Sequence, residues 1–262
     1  IRLSLVGSEM CIRDRSSAWR RASRWPEAAT RLLSMPGVLP DLFDAPVQPP
    51  ARVALGEQAW LLRGFALPHV EALRTALRTV LRAAPWRQMR TPGGYTMSVS
   101  TTNCGALGWT SDEQGYRYTP RDPLSGQPWP ALPAALQALA ARAAAEAGFD
   151  GFAPDACLIN RYVPGARMSL HQDKNERDRT APIVSVSLGL PAVFLFGGLE
   201  RTLPTARHGL LHGDVVVWGG VDRMRFHGVL PLRPGVHPVV GEQRINLTFR
   251  RAGGAQPLHS GG

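Results

Sequence analysis

The stretch Arg244-Ile245-Asn246-Leu247-Thr248-Phe249-Arg250 alternates strictly between polar and apolar side chains. Because successive side chains of an extended strand point to opposite faces, this period of two predicts a strand with one buried apolar face. On the polar face, an arginine at each end flanks two hydrogen-bonding side chains, and arginine forks bind carboxylates in bidentate fashion. The arginine Cα atoms would lie ~20 Å apart, yet their long side chains could converge on one small dicarboxylate. An ordinary solvent-exposed face is the alternative.

A second polar pair stands earlier in the chain, in Asn160-Arg161-Tyr162. By the same period of two, the amide of Asn160 and the phenol of Tyr162 would share one face of a strand. Both side chains could donate hydrogen bonds to the anion that the two arginines hold. The two stretches together therefore indicate an anion-binding surface made by strands.

The sequence between residues 155 and 251 alternates short apolar runs with Gly, Pro and His-Gly turns, which predicts a series of strands. The candidates are residues 157–163, 182–189, 192–196, 214–218 and 244–250, with one more at 61–65. Helical spacing predicts helices over 68–84 and 131–147, and the Gly-, Thr- and Pro-rich segment 88–130 predicts hairpins and loops. Two helices followed by many short strands indicate the α+β class with a barrel or sandwich core.

Composition narrows the class of protein. The 262 residues are 44% hydrophobic and 19% charged, the balance of a globular chain that can bury a core. No apolar run approaches twenty residues, so the sequence predicts no transmembrane helix and no membrane partner. Three widely spaced cysteines argue against a disulfide framework and favour a reducing compartment, the cytoplasm. The net charge of +10 suits a polyanionic partner such as nucleic acid.

Residues 1–34 differ from the rest of the sequence. They begin with Ile, are rich in Arg and show no sustained periodicity, and they lack the apolar core of a signal peptide. We expect a non-native or disordered extension, with Met35 as the start and residues 35–262 as a single domain. A disordered basic arm that touches DNA is the alternative.

Three His-x-acid patterns place a histidine and a carboxylate two residues apart, and on an extended chain both could share a metal. They are His69-Val70-Glu71, His171-Gln172-Asp173 and His212-Gly213-Asp214. The first opens a helix and the third precedes a buried strand, so both are expected to be structural. The second lies in the polar stretch 169–178 between strands, where a site can be displayed. With His227 it would complete the two-histidine, one-carboxylate face of non-haem Fe(II) oxygenases.

These motifs together resemble the AlkB family of alkylated-DNA repair enzymes, which are Fe(II)- and 2-oxoglutarate-dependent dioxygenases. The resemblance runs from about residue 39 to residue 251. It is carried by segments 91–99, 102–105, 108–110, 158–162 and 213–220, by the His171 motif and by the Arg-x-Asn-x-Thr-x-Arg strand. The resemblance implies a double-stranded β-helix (jelly-roll) core over residues 155–251, with N-terminal helices before it.

The resemblance also implies a site and a reaction. It implies iron bound by His171, Asp173 and His227 as the catalytic centre. It implies 2-oxoglutarate bound by Asn160, Tyr162, Arg244, Asn246, Thr248 and Arg250, with Arg244 at the distal carboxylate and Arg250 nearer the metal. The implied reaction uses Fe(II), 2-oxoglutarate and O2 to demethylate 1-methyladenine and 3-methylcytosine, and it releases formaldehyde, succinate and CO2. The implied partner is alkylated DNA, preferably single-stranded but also double-stranded, with RNA left open, and the protein is expected to be a monomer.

By the same resemblance, residues 88–130 form a nucleotide-recognition lid, because a base inside a duplex must be flipped and stacked before it reaches iron. The implied substrate-binding residues are Trp109 as a stacking wall opposite the ring of His171, Tyr116, Arg117 and Tyr118 at the nucleotide backbone and pocket edge, Asn175, and Arg201 at the rim. Packing of Trp109 and Tyr116 inside a lid core is the alternative. One departure stands out, since the family's loop reads His-x-Asp-x-Asp and Asn175 replaces the second Asp. A methylated base is cationic, so the lost charge is expected to weaken the preference for it.

Other classes of function remain open at this stage. A dioxygenase of the same fold could act on RNA, protein or a small molecule. A non-catalytic nucleic-acid-binding module with a dead centre is a second alternative, although the intact metal and arginine motifs argue against it. A hydrolytic zinc site is a third, and it would leave the paired arginines of the C-terminal strand without a role.

Overall fold

The computed structural model describes residues 52–253, which form two helices and thirteen strands. The helices are α1 (Val70–Ala83) and α2 (Ala134–Glu146). The strands are β1 (Arg52–Ala54), β2 (Ala59–Leu62), β3 (Ser100–Gly105), β4 (Gly108–Asp112), β5 (Gly115–Thr119), β6 (Ala156–Tyr162), β7 (Met168–His171), β8 (Ile183–Gly189), β9 (Ala192–Phe196), β10 (Ala206–Leu210), β11 (Val215–Trp218), β12 (His227–Val229) and β13 (Arg244–Arg250). Single 3-10 turns occur at Leu67–His69 and Gly220–Asp222.

Two antiparallel sheets build the jelly roll that the resemblance implied. The larger sheet has the order β1-β2-β11-β8-β13-β6-β3, and the smaller has the order β10-β9-β12-β7. A cluster of apolar side chains from both sheets, including Leu61, Trp218, Phe194 and Phe196, packs between them. A second cluster joins the other face of the larger sheet to α1 and α2. The predicted α+β class with a double-stranded β-helix core is confirmed.

Strand β13 is an interior strand of the larger sheet, between β8 and β6. Its apolar side chains, Ile245, Leu247 and Phe249, belong to the core beneath the helices. Its polar side chains point between the two sheets, and all seven residues of the strand are buried. The alternative of a solvent-exposed polar face is therefore wrong. The pairing places Arg244 opposite Tyr162 and Asn246 opposite Asn160, so the two polar motifs meet on one inner face.

Both predicted helices are confirmed within a few residues. Helix α1 buries Leu73, Leu77 and Val80 against the larger sheet, as the spacing of three and four residues requires. Helix α2 buries leucine and alanine side chains in the same core. It is followed by Gly148, whose φ of 89° is a conformation that glycine adopts without strain.

The sequence pattern does not predict the shortest strands correctly. The predicted strand at 61–65 lies at Ala59–Leu62 instead, because Gly64 turns the chain with a φ of 63°. Strands β1, β7, β10 and β12 were not predicted, since three to five residues with polar side chains show no clear period. His171 is consequently the last residue of a strand rather than part of a loop.

Residues 88–130 contain β3 and the β4–β5 hairpin, in agreement with the predicted hairpins and loops. The expectations for residues 1–34 and for Met35 lie outside the described residues. Within residues 52–253, no helix is long and apolar enough to cross a membrane. Cys104 and Cys157 are buried and free.

Candidate active site

Two neighbouring strands bring three candidate metal ligands together. His171 ends β7, Asp173 follows two residues later, and His227 begins β12 directly across from His171. Nε2 of His171 lies 3.6 Å from Oδ1 of Asp173, and Nε2 of His227 lies 3.8 Å from Oδ2. All three side chains are buried, and their ligand atoms lie within 4.8 Å of one another. The predicted triad is thus a compact set of two nitrogens and one carboxylate.

The ring orientation of both histidines is fixed in the same way. Nδ1 of His171 is 2.9 Å from the carbonyl oxygen of Ser169, and Nδ1 of His227 is 3.0 Å from that of Arg225. Each Nδ1 therefore carries the proton and donates it to a carbonyl two residues earlier. This tautomer leaves the lone pair of each Nε2 directed at the shared site. A metal-binding histidine usually donates its other ring N–H to a carbonyl or carboxylate in this way.

Burial and charge set the protonation states that a metal ion needs. Burial lowers the pKa of His227 to about 3, and it also lowers the pKa of His171. Burial by itself would raise the pKa of Asp173, but the charge of Arg250 and weaker contributions from the histidines hold it well below its ordinary value. The imidazoles are neutral and the carboxylate is ionised, so no proton competes for the ligand atoms.

The other two His-x-acid patterns are structural, as predicted. His69 stands at the start of α1. Nδ1 of His212 accepts the N–H of Gly189 at 2.9 Å, in the turn before β11. Asp214 accepts the N–H of Gly64 at 2.9 Å, so that its carboxylate is occupied.

A cavity between the two sheets joins the triad to the polar face of β13. Trp109, Met97 and Phe194 supply part of its apolar wall. Its polar wall consists of Asn160, Tyr162, Arg244, Asn246, Thr248 and Arg250 together with the triad. The six residues predicted to bind one dicarboxylate therefore line the same cavity as the predicted metal ligands.

Several buried polar atoms of this cavity lack partners within the described part of the chain. They are Nε and Nη1 of Arg244, Nη1 of Arg250 and Oδ1 of Asn160. A buried donor without a partner costs about 1–3 kcal/mol, more when it is charged, so the arginine atoms indicate that this cavity binds an anion. Tyr162 places its ring 5.0 Å from the guanidinium of Arg244, and Ser187 Oγ accepts from Nη2 at 2.9 Å. Arg244 is held in place with two donor atoms still available.

Asn246 and Thr248 are satisfied by the protein itself. Nδ2 of Asn246 donates to Ser185 Oγ at 2.8 Å, and the hydroxyl of Thr248 donates to Oδ1 of Asn246 at 3.0 Å. These two residues order the inner face of β13, whereas the arginines keep free donors. The predicted ligand set thus divides into side chains that have free donors and side chains that support them.

Two buried charged residues of this site, Arg223 and Glu176, were not predicted from the sequence. Arg223 donates from Nη1 to the carbonyl oxygen of Asp173 at 2.7 Å, and from Nη2 to Glu176 at 3.1 Å. Arg250 donates to Oδ2 of Asp173 from Nη2 at 2.7 Å. The only sequence signal was the position of Glu176 three residues after Asp173, since burial of a charge in a loop has no periodic pattern.

The β4–β5 hairpin brings aromatic residues to the cavity. Trp109 lines the cavity together with His171, and its ring stacks on that of Tyr116 at 5.5 Å. The side-chain amide of Asn103 donates to the C=O of Trp109 and accepts its N–H, in two hydrogen bonds of 3.0 Å. The hydroxyl of Tyr118 donates to Glu176 at 2.6 Å. Tyr116 and Tyr118 are therefore packed residues of the hairpin, and Trp109 is the one that faces the cavity.

The remaining predicted substrate residues lie outside the cavity wall. Arg117 forms a 2.6 Å ion pair with Asp112 on the hairpin. Asn175 is exposed, and its Nδ2 lies 3.4 Å from the carbonyl oxygen of Tyr116. Arg201 is exposed over the ring of Phe226, and its charge helps to lower the pKa of His171.

Comparisons with known proteins agree with this geometry. The model of the 2OG-Fe(II) oxygenase superfamily matches residues 58–250. The alpha-ketoglutarate-dependent dioxygenase AlkB of Salmonella typhimurium is 57% identical over 214 residues, which are 81% of this chain and 97% of that protein. The protein of the same name from Escherichia coli is 57% identical over 204 residues, 78% of this chain and 94% of that protein. The solved structure of OsALKBH1 matches with a TM-score of 0.68 at 25% identity, over 77% of this chain and 100% of that chain. The chain belongs to the AlkB family of the 2OG-Fe(II) oxygenase superfamily.

Proposed function

We propose that the protein demethylates N-alkylated bases, 1-methyladenine and 3-methylcytosine, in DNA by an oxidative reaction. The observation that carries this proposal is one cavity that holds a buried His-His-Asp triad beside two buried arginines with unpaired donors. The triad suits Fe(II), and the arginines suit the carboxylates of 2-oxoglutarate. Family membership at high identity supports the same reaction, with formaldehyde, succinate and CO2 as products.

His171, Asp173 and His227 would hold the iron through the two Nε2 atoms and the carboxylate. With 2-oxoglutarate and O2, the bound iron supplies the oxidising chemistry that hydroxylates the methyl carbon. The protein keeps both imidazoles neutral, holds Asp173 ionised beside Arg250, and surrounds the site with buried side chains that exclude water.

The polar face of β13 would orient the co-substrate along the strand. Arg250 contacts the triad through Asp173, so it would hold the carboxylate nearer the metal. Arg244 lies six residues away at the other end of the strand and would hold the distal carboxylate. Asn160 and Tyr162 of the paired strand would complete the set, and Asn246 and Thr248 would support it.

The β4–β5 hairpin would receive the damaged base. Trp109 would stack on the flipped base on the side opposite His171, and such stacking is worth ~1–3 kcal/mol per base. Residues 88–130 would act as the nucleotide-recognition lid, with Tyr116, Arg117 and Tyr118 along its edge. Asn175 and Arg201 would contact the nucleotide at the rim, where both are exposed. The buried free cysteines support a cytoplasmic enzyme, and we propose that it acts as a monomer.

Mass spectrometry of a single-stranded oligonucleotide with one 1-methyladenine tests the proposal. The protein is incubated with Fe(II), 2-oxoglutarate and ascorbate, and succinate is followed in parallel. The methyl group should be lost only when both Fe(II) and 2-oxoglutarate are present, and Asp173→Ala should abolish the loss. A duplex and an RNA of the same sequence rank the three nucleic acids.

Two other outcomes would contradict the proposal in different ways. Succinate without demethylation of any of the three nucleic acids would identify a dioxygenase with another substrate. Absence of both products, with no binding of 2-oxoglutarate to the metal-loaded protein, would favour a non-catalytic binding module.

A further inference from the structure

Glu176 is a buried carboxylate to which the proposed iron and 2-oxoglutarate sites assign no role. It lies three residues after Asp173, and only 4% of its surface is exposed. One of its oxygens accepts the hydroxyl of Tyr118 at 2.6 Å and lies 3.3 Å from Nε of Arg250. The other accepts Nη2 of Arg223 at 3.1 Å. A single carboxylate therefore contacts the hairpin and two arginines.

The same two arginines hold Asp173, Arg223 at its backbone and Arg250 at its carboxylate. Arg223 donates to the backbone carbonyl of Asp173 at 2.7 Å. Arg250 donates to Oδ2 of Asp173 from Nε at 3.0 Å and from Nη2 at 2.7 Å. Its remaining Nη1 is buried and unpaired within the described residues, and it is the donor left for an anion. The direction of that donor depends on how the rest of the guanidinium is held.

Charge balance makes the role of Glu176 specific. Arg223 and Arg250 are both buried, and Glu176 and Asp173 are the two carboxylates that neutralise them. Without the charge of Glu176, two buried cations would share one carboxylate, and Arg250 would be drawn further toward Asp173. Burial raises the pKa of Tyr118 well above its ordinary value, so its hydroxyl remains a donor to Glu176.

We propose that Glu176 is a positioning residue that couples the β4–β5 hairpin to Arg250. A nucleotide that orders the hairpin would hold Tyr118 on Glu176 and thereby fix the donor of Arg250 for the carboxylate of the co-substrate. By linkage, the co-substrate would tighten the binding of the nucleotide by the same factor. The identity of these two ligands rests on the proposed function, but the contacts among Tyr118, Glu176 and Arg250 do not.

The first test measures 2-oxoglutarate binding without nucleic acid. Isothermal titration calorimetry on the Mn(II)-loaded protein reports binding without turnover. Glu176→Gln should weaken the affinity roughly tenfold, because the amide no longer holds the guanidinium of Arg250, which moves toward Asp173 and turns its free donor away from the co-substrate. Glu176→Asp should recover part of that loss, and Glu113→Gln, the same change at an exposed position of the hairpin, should have no effect. An unchanged affinity in Glu176→Gln would overturn the positioning role.

The second test measures the coupling. The affinity for 2-oxoglutarate is compared with and without a saturating single-stranded oligonucleotide that carries 1-methyladenine. In the parent protein the oligonucleotide should tighten binding by about fivefold or more, the usual lower range of coupling between sites. Tyr118→Phe removes one oxygen atom and should bring the ratio close to one, and adding Glu176→Gln should cause no further loss. A Tyr118→Phe protein with the parent ratio would show that the hairpin is not coupled through this contact.

The outcomes separate this inference from the proposed function. If the metal-loaded protein binds 2-oxoglutarate but no methylated oligonucleotide, the proposed function fails. The coupling is then measured by hydrogen exchange of the hairpin amides. Protection of residues 108–119 on adding 2-oxoglutarate, lost in Tyr118→Phe, would support the inference. Equal protection in both proteins would contradict it.

Discussion

Arg244 shows how a single side chain combines burial with unused hydrogen-bonding capacity. Only 1% of its surface is exposed, one nitrogen donates to Ser187, and the guanidinium lies over the ring of Tyr162. Lysine would keep the charge but lose the planar fork and the contact with the ring. Charge-assisted hydrogen bonds contribute about 1.5–3 kcal/mol, so Arg244→Lys should raise the Kd for 2-oxoglutarate by roughly 10- to 100-fold.

Calorimetric titration of the Mn(II)-loaded protein measures this change directly. Arg161→Lys is the matched control, because Arg161 belongs to β6 but places its guanidinium over Trp86 and does not line the cavity. The control should bind 2-oxoglutarate as the parent does. Equal affinities of Arg244→Lys and the parent would remove Arg244 from the proposed binding set.

Asn175 is the residue at which this chain departs from the family's His-x-Asp-x-Asp loop. It is exposed, so a carboxylate there would attract a cationic base by about 1 kcal/mol at a separation of 4 Å in water. Asn175→Asp should therefore raise the preference for 1-methyladenine over a neutral alkylated base by roughly fivefold. Competition kinetics on oligonucleotides that carry each lesion measure the preference.

The Asn175→Ala variant separates charge from hydrogen bonding, since it removes the amide and adds no charge. We expect it to slow the reaction on both lesions without the gain in preference. The same preference in Asn175→Asp and in the parent protein would show that position 175 does not discriminate the charge of the base.

Among the elements, the β4–β5 hairpin depends on one buried amide. Asn103 of β3 satisfies both the N–H and the C=O of Trp109. Asn103→Ala would leave these two groups without their partner, at a cost of about 1–3 kcal/mol in the free energy of unfolding. Urea unfolding measures the loss, and Asn103→Asp, which buries a charge and turns a carboxylate oxygen toward the carbonyl oxygen of Trp109, should lose more. Equal stability of Asn103→Ala and the parent would show that water or a shifted hairpin replaces the amide.

The predictability of each element from the sequence follows from its length and period. Strand β13 was predicted in full because seven residues alternate without interruption, and its resemblance to a known motif identified the cavity side chains. Strands β7 and β12 contain four and three residues, too few to show a period, although they carry two of the proposed metal ligands. Glu176 and Arg223 were missed, since only the tertiary packing of a loop makes them buried partners.

At the scale of the whole molecule, the larger sheet serves two cores with different roles. Its outer face packs apolar side chains under α1 and α2, and its inner face presents polar side chains to the cavity between the sheets. Strand β13 shows the same division residue by residue, because its apolar side chains point to the outer face and its polar side chains to the inner face. Substitutions such as Phe249→Ala act on the outer core and on stability, whereas substitutions of Arg244 act on the inner cavity and on binding.

Histidines away from the proposed metal site link the stability of the whole domain to pH. His208 lies partly buried in β10, and its Nε2 has no partner within residues 52–253. Burial, followed by the charge of Arg63, lowers its pKa below the ordinary value of 6.5. The unfolded chain therefore binds a proton more readily than the folded chain does. The contribution of His208 to the free energy of unfolding should be fully present above pH 6.5 and should decrease as the pH falls below that value. Because the side chain is partly exposed, the loss per pH unit should stay below about 1.4 kcal/mol.

His208→Gln should flatten this dependence in urea unfolding measured about one unit above and below the ordinary pKa. A parent and a variant with the same pH dependence would assign the effect to other groups.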